Sequence, residues 1–301
     1  MTAIISAQST SEEVCDAFSS HIKGSRVIIT GVTLGSIGGE VALQLARRDP
    51  AMIALAGRKL ASLQETQQAI RSVAPDIEIK LLMLELASQT LINSAGVMAA
   101  PYKATPEGVE IQFATNHLGR FLFTNLILPL MLTASSTVQI VNVSSLGHKR
   151  GPVRFDDIAF EGGKTYDKWK AYGQSKTVNM LYLDELAARL GHRGVKSISL
   201  SPGRLYTGIM RHVSKNEMRK CDGKLILDPK LNWRTLTQGA ATIINAAYNP
   251  SLFGRQKWIH GSYMVNNPVQ MDQAESYAVD PRNAERLWSL SENMVGQRFV
   301  Y

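Results

Sequence analysis

The amino-acid sequence predicts an α/β fold in which helices cover both faces of a doubly wound parallel sheet. Short apolar runs rich in β-branched residues, such as Arg26–Thr30, alternate with longer segments of helical periodicity. A glycine-rich turn joins the first strand to the next helix. Hydrophobic residues make up 45% of the 301 residues, enough for a full core, and no repeat or low-complexity linker divides them. We therefore predict one domain over residues 1–301 with three layers, αβα.

The predicted elements follow this alternation along the chain. An amphipathic helix over residues 9–23 begins with a capping box between Thr10 and Glu13, so residues 1–24 form a helical extension. The predicted strands cover residues 26–30, 51–56, 77–84, a short run that ends at Asn93, 137–143 and 195–200. The predicted helices run from the glycine turn to about Arg48, then over 60–73, 106–132 and 166–190, with two more in the last hundred residues.

Composition and charge argue against several classes of function. The net charge of +8 is scattered, without a basic stripe that carries interleaved aromatic residues, so we predict anionic small molecules as partners and no nucleic acid. Cys15 and Cys221 lie far apart in no motif, which is typical of a reducing compartment. The apolar run Phe121–Leu132 is shorter than the ~18–20 residues of a membrane span. With no secretory signal visible, we expect a cytoplasmic protein without a transmembrane segment.

The turn Thr30–Gly39 (TGVTLGSIGG) has the position of a phosphate-binding loop, because it follows a strand and opens a helix. Glycines there let backbone N–H groups and a helix N-terminus approach a pyrophosphate. The second strand ends at Gly57-Arg58, where an NAD enzyme would carry an acid for the ribose hydroxyls. A guanidinium attracts a 2′-phosphate instead, so the sequence favours NADP(H). The alternative is that Arg58 is an ordinary solvated cation at the start of a helix.

Tyr172 and Lys176 are spaced to share one helix face. A neighbouring ammonium favours the phenolate, which suits Tyr172 to give a proton to, or take one from, a reacting oxygen. Tyr166 and Lys170 repeat this spacing. Only the Tyr172 face continues through apolar residues, namely Met180, Leu183 and Ala187. We therefore interpret Tyr166 and Lys170 as a solvated approach to the helix.

Ser145 is the candidate for a second group that polarises a carbonyl. It ends the run Ile140–Ser145 (IVNVSS), where a buried strand leaves the sheet at its ligand-binding edge. The alternative is a serine that only caps the end of the strand.

The chain as a whole resembles the short-chain dehydrogenase/reductase family, and hence a Rossmann-like sheet. The matching motifs cover residues 26–207 in the family's order: TG…G…G at Thr30–Gly38, NSAG at Asn93–Gly96, NHLG at Asn116–Gly119, VSS at Val143–Ser145, Tyr172-x-x-x-Lys176 and Pro202-Gly203-x-x-x-Thr207. The details NHLGRF, VSSLGH and GSYMV…ERLW are most similar to the retinol-dehydrogenase and WW-domain-oxidoreductase-like branch, particularly its fungal members.

The resemblance implies a role for each motif. Tyr172 would be the proton donor or acceptor, Lys176 would lower its pKa and hold the nicotinamide ribose, and Ser145 would orient the substrate carbonyl. Asn116 would support a water relay to Lys176. Cofactor contacts would come from Gly31, Gly35, Ile37, Gly38, Arg58, Asn93, Leu205 and Thr207. The family's acid near the adenine is Asp, whereas this chain has Glu85; its glycine turn is one residue longer than the common spacing, and Ser94 replaces a second Asn.

The implied activity is NADP(H)-dependent interconversion of a carbonyl and an alcohol. Residues 208–235 would form the substrate loop, and we expect either an amphipathic lid or a solvated surface helix from its mixed apolar and basic residues: Met210, Arg211, Val213, Lys215, Met218, Arg219 and Lys220. A lipophilic ketone, aldehyde or alcohol fits an apolar pocket, and fungal secondary metabolism is a setting that rests on the resemblance alone. The family often associates through the helices after strands four and five, which makes a homodimer one expectation.

Two other readings of the function stay open. A cofactor-sensing regulator on the same fold would need the glycine turn but not the Tyr172–Lys176 pair. An inactive paralogue is the other, and a short segment between the third and fourth strands is its only support. These strands are not neighbours in the order 3-2-1-4-5-6, and ~22 Å separates their ends.

The six residues Glu85–Thr90 reach at most ~20 Å, and a normal crossover takes a dozen residues or more, usually a helix. Either the third strand is lost and residues 77–90 form the link, or a coding segment is missing, which we favour. Both accounts predict a chain less stable than its relatives.

Overall fold

A computed structural model describes residues 5–57, 59–81, 89–214, 217, 232–253 and 261–301. Within these residues, parallel strands form a seven-stranded sheet of order β3-β2-β1-β4-β5-β6-β7 with helices on both faces, which confirms the Rossmann-like doubly wound fold. The strands are β1 Arg26–Thr30, β2 Met52–Ala56, β3 Glu78–Leu81, β4 Thr90–Asn93, β5 Val138–Val143, β6 Val195–Ser201 and β7 Tyr263–Val265. The predicted order of the first six strands is therefore correct.

The helices lie close to their predicted positions, with three local differences. They are α1 Ser11–Ala17, α2 Ser19–Ile22, α3 Ile37–Ala46, α4 Leu60–Val73, α5 Ile111–Phe113, α6 Gly119–Ala134, α7 Lys168–Leu190, α8 Leu236–Tyr248 and α9 Pro281–Val295. The N-terminal helix is interrupted at Phe18, although Thr10 and Glu13 form the predicted capping box. A π-helical turn, Ala114–Leu118, joins α5 to α6. Helix α7 begins after Asp167, whose carboxylate accepts the N–H groups of Trp169 and Lys170.

The core has two parts because the sheet is buried on both faces. Val27 and Ile29 of β1 pack on the face covered by α1, α3 and α8. Ile28 points to the opposite face and packs in the part of the core formed with α6, α7 and α9. Strands buried on both sides lose the alternation of apolar and polar residues, which is why RVIIT and MIALA read as continuous apolar runs.

Strand β3 is present, so the account in which it is lost is wrong. It pairs with β2 over Glu78–Leu81, and the rest of the predicted strand, up to residue 84, lies outside the described residues. Residue Gln89 already donates its N–H to Arg26 O at 3.2 Å. In the order β3-β2-β1-β4, Leu81 and Gln89 lie three inter-strand distances apart across the sheet and about three residues apart along the strand direction. The straight-line distance between them is therefore ~17 Å.

Eight residue steps from Leu81 to Gln89 reach ~28 Å, enough for that straight-line distance. The link is still shorter than the dozen residues of a usual crossover. Residues 82–88, with Glu85, lie outside the described part of the chain. The loss of a coding segment, and a stability below that of relatives, stay predictions.

One described helical stretch is long and apolar enough to cross a membrane by length and composition. It is Ile111–Ala134, and half of its most apolar window is buried inside this fold. The core helix of a globular domain has the same properties, so the stretch is weak evidence for a span.

Candidate active site

A cleft of about 1480 Å³ runs along the carboxyl edge of the sheet. It lies where β1 and β4 are neighbours and the chain leaves the sheet in opposite directions, which is where open α/β sheets bind ligands. Most of the residues singled out from the sequence line it: Gly31, Gly35, Ile37, Asn93, Ser145, Tyr172, Lys176, Leu205 and Thr207. Arg58 and Glu85 lie outside the described residues.

The glycine turn brings backbone close to backbone at the start of α3. Gly38 does not line the cleft; a Cβ at this position would lie 2.6 Å from Gly31 O, so only glycine lets the helix start directly under the turn. Ser36 caps the helix: its Oγ accepts the Gly39 N–H at 3.1 Å and donates to Gly31 O at 2.8 Å. Ser36 and Ile37, at the start of the helix, line the cleft, and a helix N-terminus is a favourable place for a pyrophosphate.

The loop after β4 is tied to β1 by a residue that sequence reasoning left without a role. Thr30 Oγ1 accepts the N–H groups of Ser94 and Ala95, each at 3.1 Å. The side chain of Asn93 turns inward instead: its amide donates to Thr124 Oγ1 at 3.1 Å and Asn142 Oδ1 at 3.0 Å. Asn93 therefore joins β4 to β5 and α6, and presents mainly its backbone to the cleft.

Tyr172 and Lys176 lie on the buried face of α7, with 6% and 3% of their surface exposed. Lys176 Nζ donates to Val143 O at 3.1 Å and lies 5.6 Å from the centre of the Tyr172 ring. Burial raises the pKa of Tyr172, while a hydrogen bond with Ser145 and the charges of Arg150 and Arg120 lower it. Burial and the charge of Arg120 hold the pKa of Lys176 well below its usual value.

Ser145 follows β5 in an extended conformation and serves two purposes. Its Oγ accepts the Gly147 N–H at 3.0 Å, capping the short helical turn Leu146–Arg150. The same side chain lowers the pKa of Tyr172, which lines the cleft beside it. Ser145 thus caps a helical turn that follows the strand, and its role in polarising a carbonyl stays a prediction.

Asn116 lies in the π-helical turn and is fully buried. Its Oδ1 accepts the Val97 N–H at 2.8 Å, and its Nδ2 donates to Val97 O at 2.8 Å and Ser175 Oγ at 2.9 Å. These bonds fix the side chain between the loop after β4 and helix α7. π-Helical turns are frequent at functional sites. The water relay implied for Asn116 stays a prediction.

Arg120 is a site residue that the sequence analysis did not identify. It lines the cleft with 6% of its surface exposed, and its Nη2 donates to Ala95 O at 2.6 Å. Burial lowers its pKa to about 10, so it stays charged at neutral pH. The signal in the sequence was a single cation inside the otherwise uncharged helix segment GRFLFTNLILPLMLTA.

The outer wall of the cleft is apolar and belongs in part to the predicted substrate loop. Met210 and Val213 are buried in a small cluster with Ala99, and partly buried residues complete it: Met98, Trp169 and Ile209. Thr207 caps the turn Gly208–His212 through its side chain. Lys215, Met218, Arg219 and Lys220 lie outside the described residues, so the lid itself stays a prediction.

Tyr166 is not the solvated residue that we expected. It precedes α7, and its hydroxyl donates to Ala100 O at 2.8 Å and accepts from Gln112 Nε2 at 2.9 Å. Glu110 Oε1 lies 3.2 Å from the same oxygen. Tyr166 is absent from the cleft lining, while Lys170 is exposed.

Comparisons with known proteins agree with this architecture. A family model described as short chain dehydrogenase matches residues 25–156. Mouse retinol dehydrogenase 12 is 32% identical over 294 residues, covering 92% of this chain and 88% of its own. Short-chain dehydrogenase/reductase prx1 of Penicillium rubens is 30% identical, covering 89% of this chain and 81% of its own.

Solved structures share the fold. A putative uncharacterized protein from Mycobacterium paratuberculosis superposes with a TM-score of 0.64 at 27% identity, covering 93% of this chain and 96% of its own. L-sorbose reductase from Gluconobacter frateurii, in complex with NADPH and L-sorbose, gives 0.61 at 14% identity, covering 82% and 96%. With the sequence relatives, these matches show that the chain belongs to the short-chain dehydrogenase family of oxidoreductases, in its retinol-dehydrogenase-like branch.

Proposed function

We propose that this chain is an NADP(H)-dependent oxidoreductase that interconverts a carbonyl and an alcohol on a lipophilic small molecule. The observation that carries the proposal is that Ser145, Tyr172 and Lys176 line the same cleft, with Lys176 Nζ 5.6 Å from the centre of the Tyr172 ring. Two hydroxyl groups that meet in a largely buried site can hold one oxygen of a substrate from two sides.

The cleft fits a dinucleotide. Its volume of about 1480 Å³ exceeds the ~300–1000 Å³ of a usual small-molecule pocket, so a cofactor and a substrate have room together. The glycine turn and the N-terminus of α3 would hold the pyrophosphate, and Leu205 and Thr207 line the opposite wall. When bound, the nicotinamide supplies or accepts a hydride.

The side chains would handle the proton that accompanies the hydride. In reduction, Tyr172 gives its hydroxyl proton to the carbonyl oxygen, which Ser145 orients by a hydrogen bond. In oxidation, the phenolate of Tyr172 takes the proton of the alcohol. Lys176, fixed to Val143 O, would hold the ribose and return the proton toward Asn116.

The charges of the cleft support a preference for NADP(H). None of the described residues that line it is Asp or Glu, whereas six are basic: Lys59, Arg120, Arg150, Lys176, Arg204 and Arg211. Lys59 follows β2 as the N-cap residue of α4 and lines the cleft, in the region where a ribose 2′-phosphate would bind. Arg58 would be its neighbour in that role.

The apolar outer wall supports a lipophilic substrate. Several relatives are named retinol dehydrogenase, and prx1 comes from Penicillium, in keeping with the proposed setting of fungal secondary metabolism. A cytoplasmic location and a homodimer stay predictions.

The test is NADPH oxidation by the purified chain with a panel of apolar aldehydes and ketones. Tyr172→Phe should lower turnover by at least about 100-fold. Tyr166→Phe is the matched control, because it has the same spacing to a lysine but lies outside the cleft. Turnover that survives in Tyr172→Phe would refute the mechanism. A wild-type chain that binds NADPH without any turnover would favour a cofactor-sensing regulator, or a chain impaired by its short link.

A further inference from the structure

Two cations meet at one backbone carbonyl in the candidate site. Lys176 Nζ donates to Val143 O at 3.1 Å, and Arg120 Nη1 approaches the same oxygen at 3.4 Å. Val143 ends β5, two residues before Ser145. The carbonyl between the two charges therefore belongs to the segment that positions the serine.

Arg120 has uncharged partners throughout the described part of the chain. Its Nη2 donates to Ala95 O. The Asn179 amide satisfies all its neighbours when its oxygen accepts from Arg120 Nη1 at 3.1 Å and its nitrogen donates to Asn116 O at 2.7 Å. No carboxylate among the described residues forms an ion pair with it. A buried guanidinium without a counter-ion lowers the stability of the fold. Because no opposite charge neutralises it, its charge acts on the neighbouring titratable side chains.

The groups that feel this charge include Tyr172 and Lys176, the two residues proposed to move the proton. From α7, Tyr172, Lys176 and Tyr182 feel the charge of Arg120. From the π-helical turn, His117 feels it too, but burial lowers the pKa of this histidine to about 3 and keeps it neutral. Arg150 acts on Tyr172 as a further cation.

We propose that Arg120 is a positioning residue of the proton-transfer site. Together with Lys176 it holds the Val143 carbonyl at the end of β5, and its fixed charge favours the phenolate form of Tyr172. The proposal rests on the proposed function, since it assigns Tyr172 the transfer of the proton. It also gives the two cations different roles. Arg120 stays protonated and supplies a permanent positive charge, whereas Lys176, whose deprotonation is favoured by burial, transfers a proton.

The test follows the ionisation of Tyr172 directly. The ultraviolet absorbance of phenolate is titrated in each protein, and the same titration of a Tyr172→Phe background is subtracted, so no substrate or cofactor is needed. Arg120→Met should raise the pKa of Tyr172 by about one unit, and Arg120→Lys should restore it. Arg234→Met is the matched control: Arg234 is a second buried arginine that pairs with no carboxylate among the described residues, and it does not act on Tyr172.

The pH profile of alcohol oxidation gives a second readout. In Arg120→Met, kcat/KM should fall roughly tenfold on the acid side and recover as the pH rises. A titration of Arg120→Met that superimposes on the wild type overturns the proposal. If Arg120→Met does not fold, Arg120→Gln decides by the same criterion, since it keeps a donor for Ala95 O. A shift of the Tyr172 titration without turnover in any protein would refute the proposed function and the proton-transfer role, while the effect of Arg120 on the ionisation of Tyr172 would remain.

Discussion

The ring of Tyr172 lies against Gly147, at a distance that leaves no room for a side chain. A Cβ at Gly147 would fall 2.6 Å from Tyr172 Cε1 and 3.3 Å from Ser145 Oγ. The glycine therefore sets how closely the two hydroxyl-bearing residues approach each other.

Gly147→Ala should displace the Tyr172 ring and lower kcat/KM by about 100-fold, because small shifts of a catalytic group are costly. Steady-state turnover measures the effect, and circular dichroism checks the fold. Gly191→Ala is the control, since a Cβ at Gly191 meets nothing within 4 Å. Unchanged turnover in Gly147→Ala would mean that the Ser145–Tyr172 distance does not limit the reaction.

Lys59 at the cleft should discriminate between the two cofactors. Lys59→Glu is expected to weaken NADPH binding roughly five- to tenfold and leave NADH nearly unaffected, because an exposed charge contributes about 1 kcal/mol to a phosphate contact. Thermal unfolding in the presence of each nucleotide measures the change in binding. A ligand at ~100 times its dissociation constant adds ~2.7 kcal/mol to the free energy of unfolding. Lys164→Glu, on an exposed loop, is the control. Equal shifts with NADPH and NADH in the wild type would contradict the cofactor preference.

His117 should make the fold sensitive to acid. Its Nε2 donates to Ser291 Oγ at 2.6 Å, and burial lowers its pKa from 6.5 to about 3. The unfolded chain binds a proton below pH 6.5 and the folded chain does not, so stability is full above 6.5 and falls toward pH 3 by up to roughly 5 kcal/mol.

His117→Gln should flatten this slope in urea unfolding measured across that pH range. His148, whose pKa burial also lowers, keeps part of the slope. His21→Gln, at an exposed site, should leave it unchanged. An identical slope in His117→Gln would exclude His117 as its source.

Asn93 should matter for stability through its side chain. Asn93→Ala removes the donor to Thr124 and Asn142 at a buried site, at an expected cost of about 1–3 kcal/mol in the free energy of unfolding. Urea unfolding measures the loss, and Asn293→Ala on the exposed side of α9 is the control. A loss no greater than that of the control would mean that these hydrogen bonds contribute little.

The sequence predicted most of the sheet because buried parallel strands and glycine turns are local signals. The predicted end of β3 at residue 84 rests on the apolar run Leu82, Met83 and Leu84, which lies outside the described residues. Strand β7 was missed: Tyr263–Val265 is too short to show a pattern of its own.

The sequence predicted only those residues of the candidate active site that belong to recognisable family motifs. Tyr166 was misread because its partner Glu110 lies 56 positions away along the chain. Arg120 was missed because the sequence around a single arginine in an apolar helix does not indicate which residues it contacts in the fold. The packing of α6 against α7 and β5 determines which charged side chains surround Tyr172. Contacts between elements that are distant in sequence cannot be predicted from the spacing of residues.

The short link between β3 and β4 also bears on how the chain finds its fold. The two halves of the sheet must meet across it, and the entropy lost in closing a loop grows with loop length. Halving a link lowers the entropic cost of closure by ~0.6 kcal/mol, so a short link raises the probability that the two halves of the sheet meet. We expect a Gly-Ser insertion within residues 82–88 to slow refolding slightly, and faster refolding would show that the link is strained. A link of this length would therefore act on the rate at which the sheet assembles.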